Sequence, residues 1–154
     1  MAESAHFNIL TTQIKKVHFD NQSIIVYSPT HNKAKTLKQF LTNFLLLKIN
    51  QIVQDISNQQ NLQFAEIKIS NNKNTWGSCS SKGRLFFSWR LIFVPLETLY
   101  YVIVHEMCHL VEMNHSSKFW NLVSNLCPDY KAHKLWLKEN SYRIHHYSNN
   151  LDGL

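Results

Sequence analysis

An α+β fold is predicted for this 154-residue chain, because the spacing of its apolar residues changes character in blocks. Short β-branched runs come first, then one long helical stretch, then short runs again, then three helical stretches. That segregated order belongs to α+β domains. Composition fits a single domain over residues 1–154, since 44% hydrophobic content at this length can build a core and only 17% of residues are charged. The apolar run at residues 44–47 is far too short to cross a bilayer, and the start lacks the basic-then-apolar order of a signal peptide. A cytoplasmic protein with no membrane partner is expected. Cys79, Cys108 and Cys127 cannot all pair, so reduced thiols are expected too.

Residues 13–19 and 23–28 cluster β-branched side chains about Asp20, Asn21 and Gln22, which reads as a hairpin. From residue 33 to about 57 the spacing turns helical. Leu37, Phe40, Leu41, Phe44, Leu45, Ile49, Ile52, Val53 and Ile56 form a wide stripe that predicts a well-buried helix. A strand over 64–70 follows, then a second hairpin joining 75–79 to 84–89 about Ser80-Ser81-Lys82-Gly83. Pro95 suits the first position, and Glu97 the positive end, of a helix over 95–113. Its apolar residues, Leu96, Leu99, Tyr100, Ile103, Val104, Met107 and Leu110, keep the spacing of one buried face. Ser116 caps a further helix carrying Phe119, Leu122, Val123 and Leu126. The last helix starts after Pro128 and Asp129 and carries Leu135 and Trp136. The polar tail, 145–154, is expected to fray.

Chemistry concentrates in the run His105-Glu106-Met107-Cys108-His109. At about 3.6 residues per turn the two histidines lie roughly 40° apart, so both imidazoles can reach one ion. Glu106 is too close along the backbone to His105 to share that ion, but it can reach a water held there, as a general base does. Zinc lowers the pKa of its bound water to about 7. The glutamate takes a proton as that water attacks a carbonyl, then delivers it to the leaving amine. The pattern points to peptide or amide hydrolysis with one zinc ion.

A catalytic zinc usually takes three protein ligands. His115 is the leading third candidate; Glu139 and His133 compete, although solvated positions on the last helix are the better default for both. On an unbroken helix His115 would lie about 120° from His109, so the helix must end between them. Asn114 suits a left-handed terminator, and Ser116 can start the next helix. The spacing matches metzincins, yet Glu112 stands where their turn glycine does and no methionine follows Met113 to form their Met-turn. Cys108 reads as a small buried residue, and Cys79 is not assigned to the metal.

Trp76-Gly77-Ser78-Cys79-Ser80-Ser81-Lys82-Gly83, Trp89-Arg90-Leu91, the histidine run through Leu110, Met113-Asn114-His115-Ser116, Phe119-Trp120 and Cys127-Pro128-Asp129 occur in that order. Together they resemble the YgjP-like family of zinc metallopeptidases, itself similar to the SprT-like and WLM proteases. The resemblance covers about residues 62–140, the motif-bearing core. It implies a zincin-like fold: an N-terminal hairpin and long helix, a small mixed sheet with a Trp-Gly-Ser hairpin, the histidine helix and two C-terminal helices. It also implies His105, His109 and His115 as metal ligands and Glu106 as the catalytic glutamate, and it names no substrate. The chain departs from the family at Thr75, where arginine is frequent, and at Ser88, where asparagine is frequent. Family members also commonly carry more β structure ahead of the long helix.

Zincins resemble one another in presenting a strand edge beside the metal. Trp76, Gly77 and Ser78 are therefore candidate substrate-binding residues, with an extended peptide adding to the sheet. A tight turn with tryptophans anchoring the core fits those residues equally well. Arg90 is a further substrate candidate and, with Tyr130, His145, His146 and Tyr147, is chemically able to stabilise an oxyanion. Between residues 67 and 96, Lys68, Lys73, Lys82, Arg84 and Arg90 meet no acidic residue, and the chain carries a formal charge of +6 with a pI near 9.3. Such a hairpin could hold an anionic partner, nucleic acid or nucleotide, although solvated lysines are the commoner explanation. The expected function is a zinc metallopeptidase acting on a peptide or protein substrate. The alternatives are a metal-dependent nucleotide or phosphate-ester hydrolase, and a nucleic-acid-binding module with structural zinc.

Overall fold

The computed structural model describes the backbone of residues 6–11, 16–20, 23–28 and 33–152, and the side chains of residues 34–149. A first sheet holds β1 (His6–Thr11), β2 (Lys16–Asp20) and β3 (Ser23–Ser28) in the order β1-β3-β2. β2 and β3 form the expected hairpin, while β1, which the sequence reading did not include, runs parallel to β3. The chain thus has more β structure ahead of its long helix than the comparison with the family anticipated. The turn at Asn21 and Gln22 lies outside the described residues.

Helix α1 (Lys33–Gln60) is 28 residues long, about 42 Å at 1.5 Å per residue. Leu37, Leu41, Leu45, Ile49, Val53 and Ile56 are buried along it, one nearly every fourth residue, each burial stabilising by about 1.5–3 kcal/mol. The stripe is narrower than the sequence suggests, because Phe44 remains 38% exposed. The helix stops at Asn61, whose φ of 52° is left-handed, and Leu62 N–H donates back to the Ser57 carbonyl at 3.0 Å.

The second sheet contains β4 (Glu66–Ser70), β5 (Gly77–Cys79) and β6 (Arg84–Ser88) in the order β4-β6-β5. Central β6 buries Leu85 and Phe87 completely. It pairs parallel with β4 and antiparallel with β5. Gly83, at φ 71°, closes the expected hairpin by donating to the Ser80 carbonyl at 2.9 Å. This order leaves β5 as an edge strand lying against the next helix. A short 3-10 turn, Trp89–Phe93, follows β6 where the sequence reading extended the strand to Trp89; the Ser88 hydroxyl caps it by accepting from Arg90 N–H.

Helices α2 (Leu96–Cys108), α3 (Ser117–Leu126) and α4 (Tyr130–Asp152) complete the described fold. α2 passes through the core, with Ile103, Val104 and Met107 fully buried, and touches α1, α3, α4 and β5. Pro95 is its N-cap, one position earlier than expected, and its carbonyl accepts from Leu99 N–H at 2.9 Å. The segment from residue 145 was expected to fray but is helical to Asp152. Burial of Ile144 and Ser148, together with the Arg90 Nε donor on Ser148 Oγ at 2.8 Å, ties it down. Among the described residues no helix is long and apolar enough to cross a membrane.

Candidate active site

The helix that carries the histidine run ends at Cys108, with His109 as its C-cap. Leu110 N–H turns back to the Met107 carbonyl at 3.0 Å and Val111 N–H to that of Cys108 at 3.1 Å. These tight i→i+3 bonds terminate the helix between His109 and His115, as the third-ligand argument requires, but well before residue 113. Asn114 is not left-handed; among the described non-glycine residues only Asn61 has positive φ. Ser116 caps α3 by accepting from Phe119 N–H.

This path brings the imidazoles of His105, His109 and His115 together, one ligand-capable nitrogen from each lying within 4.8 Å of the others. His105 Nε2 and His115 Nε2 are 3.0 Å apart. His109 Nδ1 is 3.1 Å from the Glu112 carbonyl. Donating its proton there fixes the tautomer and leaves the other ring nitrogen as a lone-pair donor. Phe119 forms a floor beneath all three rings, stacked on His109 at 4.5 Å and edge-on to His105 and His115 at 4.9 and 4.8 Å. Trp120 stacks on His115 at 5.7 Å. The sequence reading placed Phe119 only on an apolar face; its position one turn after His115 on a capped helix was the available signal.

The trio fits a divalent cation. Burial, helped by the charges of His109, His115 and Lys134, lowers His105 to about 4, and burial also lowers His115. These two rings are therefore neutral near pH 7, as metal ligation requires. Two nitrogens bound at 2.0–2.1 Å in tetrahedral geometry lie about 3.3 Å apart, close to the spacing of the facing Nε2 atoms. His105 Nδ1 is buried without a hydrogen-bond partner. That costs about 1–3 kcal/mol, which ligation by the same ring would offset. His133 joins no such cluster: its Nδ1 lies 3.3 Å from Thr98 Oγ1 and its ring stacks on Tyr101. Glu139 is exposed and also outside it. Cys79 and Cys108, both raised chiefly by burial, to about 11 and about 12, stand apart from it as well.

Glu106 is only 6% exposed, and burial raises it to about 8. A Cβ placed on Gly77 would stand 2.6 Å from Glu106 Cγ and 2.7 Å from Oε1. Gly77 therefore makes room for the Glu106 side chain, a role the sequence reading did not give it. Trp76 fits the anchoring reading, because its carbonyl accepts from Ser88 N–H at 2.8 Å and its half-buried ring stacks on His145 at 5.7 Å. Ser78 is exposed on the strand edge.

Arg90 lies inside the fold. It is fully buried, donating from Nε to Ser148 and from Nη1 to the Asn71 carbonyl and Oδ1 at 3.4 and 3.3 Å. A guanidinium packed there ties the segment just after β4 to α4. Part of the basic hairpin's charge is met locally. Glu66 pairs with both Lys68 and Arg84 at 3.1 Å, and Lys73 reaches Asn149.

Glu106 and His105 oppose each other in the metal-free chain. Glu106 moves from 4.5 up to about 8, so its contribution is present below pH 4.5 and lost as pH rises through 8. His105 moves from 6.5 down to about 4, so its contribution is present above pH 6.5 and lost as pH falls through 4. Metal-free protein should thus be less stable at about pH 8.5 than at about pH 6, by an amount on the order of a few kcal/mol, and Glu106→Gln should remove that alkaline decline. Urea unfolding midpoints at the two pH values check this; an unchanged decline in the variant assigns it to other groups.

Helices and a small mixed sheet bring three imidazoles together beside a buried carboxyl, an arrangement suited to a metal-dependent hydrolase. The crystal structure of the metallopeptidase zymogen of Pyrococcus abyssi abylysin shares this fold, with a TM-score of 0.53 at 19% identity, covering 59% of this chain and 93% of that one. That of Methanocaldococcus jannaschii jannalysin, also a metallopeptidase zymogen, gives 0.48 at 26% identity, covering 57% and 94%. No curated protein matches the chain. The chain belongs to the YgjP-like family, whose metallopeptidase domain matches residues 6–140, well beyond the stretch on which the sequence resemblance rested. Its chemistry is that of a zinc metallopeptidase, and the nucleotide-hydrolase and structural-zinc alternatives are not favoured.

Proposed function

We propose that the chain is a single-domain peptidase in which His105, His109 and His115 hold one zinc ion and Glu106 is the general base. The observation that carries this reading is the convergence of three imidazoles, with the buried carboxyl of Glu106 following His105 on α2. Zinc, when bound, supplies Lewis acidity toward a substrate carbonyl and lowers the pKa of water to about 7.

Glu106 takes the proton of the attacking water and passes it to the leaving nitrogen. A raised pKa brings its proton exchange near neutral pH, and a neighbouring cation draws it back toward the ionised form. The free edge of β5 offers backbone groups to an extended peptide, with Ser78 at its middle. Phe119 and Trp120 screen the imidazoles from water on the α3 side.

Purified protein should carry about one zinc per chain, lose peptide hydrolysis on chelation and regain it with added zinc. His115→Ala should weaken zinc binding by more than about 100-fold, beyond the 10–100-fold typical of losing only a ligand's hydrogen-bond partner. Metal analysis and hydrolysis of a peptide library decide the matter; absence of zinc, or hydrolysis indifferent to chelation, would falsify the reading.

A further inference from the structure

Beside the metal centre, α3 and α4 leave an open groove of about 680 Å³ lined by Trp120, Tyr130, Lys131, Lys134, Leu135 and Lys138. Trp120 joins the groove to the site, since its ring stacks on His115 and also on Tyr130, at 5.2 Å. Lys131, Lys134 and Lys138 recur three and four residues apart, so they share one face of α4, and all three are exposed. Lys134 Nζ lies over the Trp120 ring, 4.7 Å from its centroid. Among the described residues none of the three ammonium groups has an ion pair.

Most lysine-rich faces are merely solvated. This one differs in two respects. Like charges three and four residues apart on a helix repel, and no described carboxylate pairs with them, so an anion in the groove relieves an unfavourable arrangement beyond what the Lys134 contact with the Trp120 ring offsets. The charges also border an aromatic floor continuous with a ring stacked on His115, which suits a short aliphatic stem ending in a carboxylate.

On the peptidase reading above, we propose that this groove is a subsite for an acidic side chain of the peptide substrate near the scissile bond. The enzyme would then select acidic segments, and the three lysines set that preference without touching the reacting atoms.

Quenched fluorescent peptides, amidated at the C-terminus and differing only in Glu or Gln beside the cleaved bond, test this. Wild type should favour the Glu peptide in kcat/KM by about tenfold or more at low salt, and the preference should fall with ionic strength. The ratio should approach one in a Lys131→Gln, Lys134→Gln, Lys138→Gln variant and fall about threefold in Lys134→Gln alone, which guards against misfolding of the triple variant. Binding of the same peptides to Glu106→Gln, read by anisotropy, should show the same ratio without turnover.

A wild-type ratio near one, or a ratio retained in the variants, overturns the subsite and leaves the peptidase reading standing. Glu-selective binding with no cleavage of any peptide supports the groove's carboxylate preference and overturns the peptidase reading. A single-stranded oligonucleotide that binds more tightly than the acidic peptide, and loses binding in the triple variant, reassigns the groove and overturns the proposal.

Discussion

Glu106→Gln is expected to lower kcat/KM for peptide hydrolysis by about 1,000-fold, within the 100- to 10,000-fold range of general acid–base contributions. Zinc stoichiometry should stay unchanged, because glutamine preserves shape and the three imidazoles remain. The amide cannot take a proton from the attacking water, so the loss should fall on kcat rather than on KM. Because the carboxyl is buried and held largely protonated in the metal-free chain, a neutral amide there costs little in stability. Activity within about tenfold of wild type would remove Glu106 from the base role.

Gly77→Ala should damage the same step from the neighbouring strand. Its Cβ would stand 2.6 Å from Glu106 Cγ, so either the glutamate swings away or β5 lifts from α2. Misplacing a catalytic group by about 1 Å can cost roughly 100-fold, and overpacking typically destabilises by about 1–3 kcal/mol. We expect losses of both sizes with zinc retained. The contact predicts non-additivity as well: with Glu106→Ala, which removes the colliding atoms, Gly77→Ala should cost little further stability. Urea unfolding of the four proteins in that cycle measures the coupling. Simple additivity would show that the strand and the glutamate do not meet as described.

What the chain made legible in advance was its local physics. Repetition every fourth residue marked α1 and α2, and the run from His105 to His109 marked the centre of the site. The close approach of Gly77 to Glu106 was not legible, because it joins residues far apart along the chain. β1 escaped notice since its parallel partner, β3, lies beyond an intervening strand. Counting charges along the chain found an acid-free run, yet Glu66 lies just outside it and sits directly opposite Arg84 in the β4–β6 register. The burial of Arg90 was not legible either, because nothing local reveals that Ser148, 58 residues on, receives its Nε donor. Asparagine as a left-handed terminator was sound chemistry applied at the wrong residue. Asn61 adopts that conformation as the chain turns back onto α1, whereas residues 109–112 close by tighter turns.

The loop between α2 and α3 does two tasks with one short stretch of backbone. The Glu112 carbonyl steadies the His109 ring, and His115 comes from the end of the same loop. An ion held by both rings therefore clasps the loop at each end, and the free energy of metal binding becomes the local stability of that segment. Backbone amide exchange in residues 110–116 should then track free zinc concentration while the α1 core stays protected, which makes this loop a built-in gauge of occupancy.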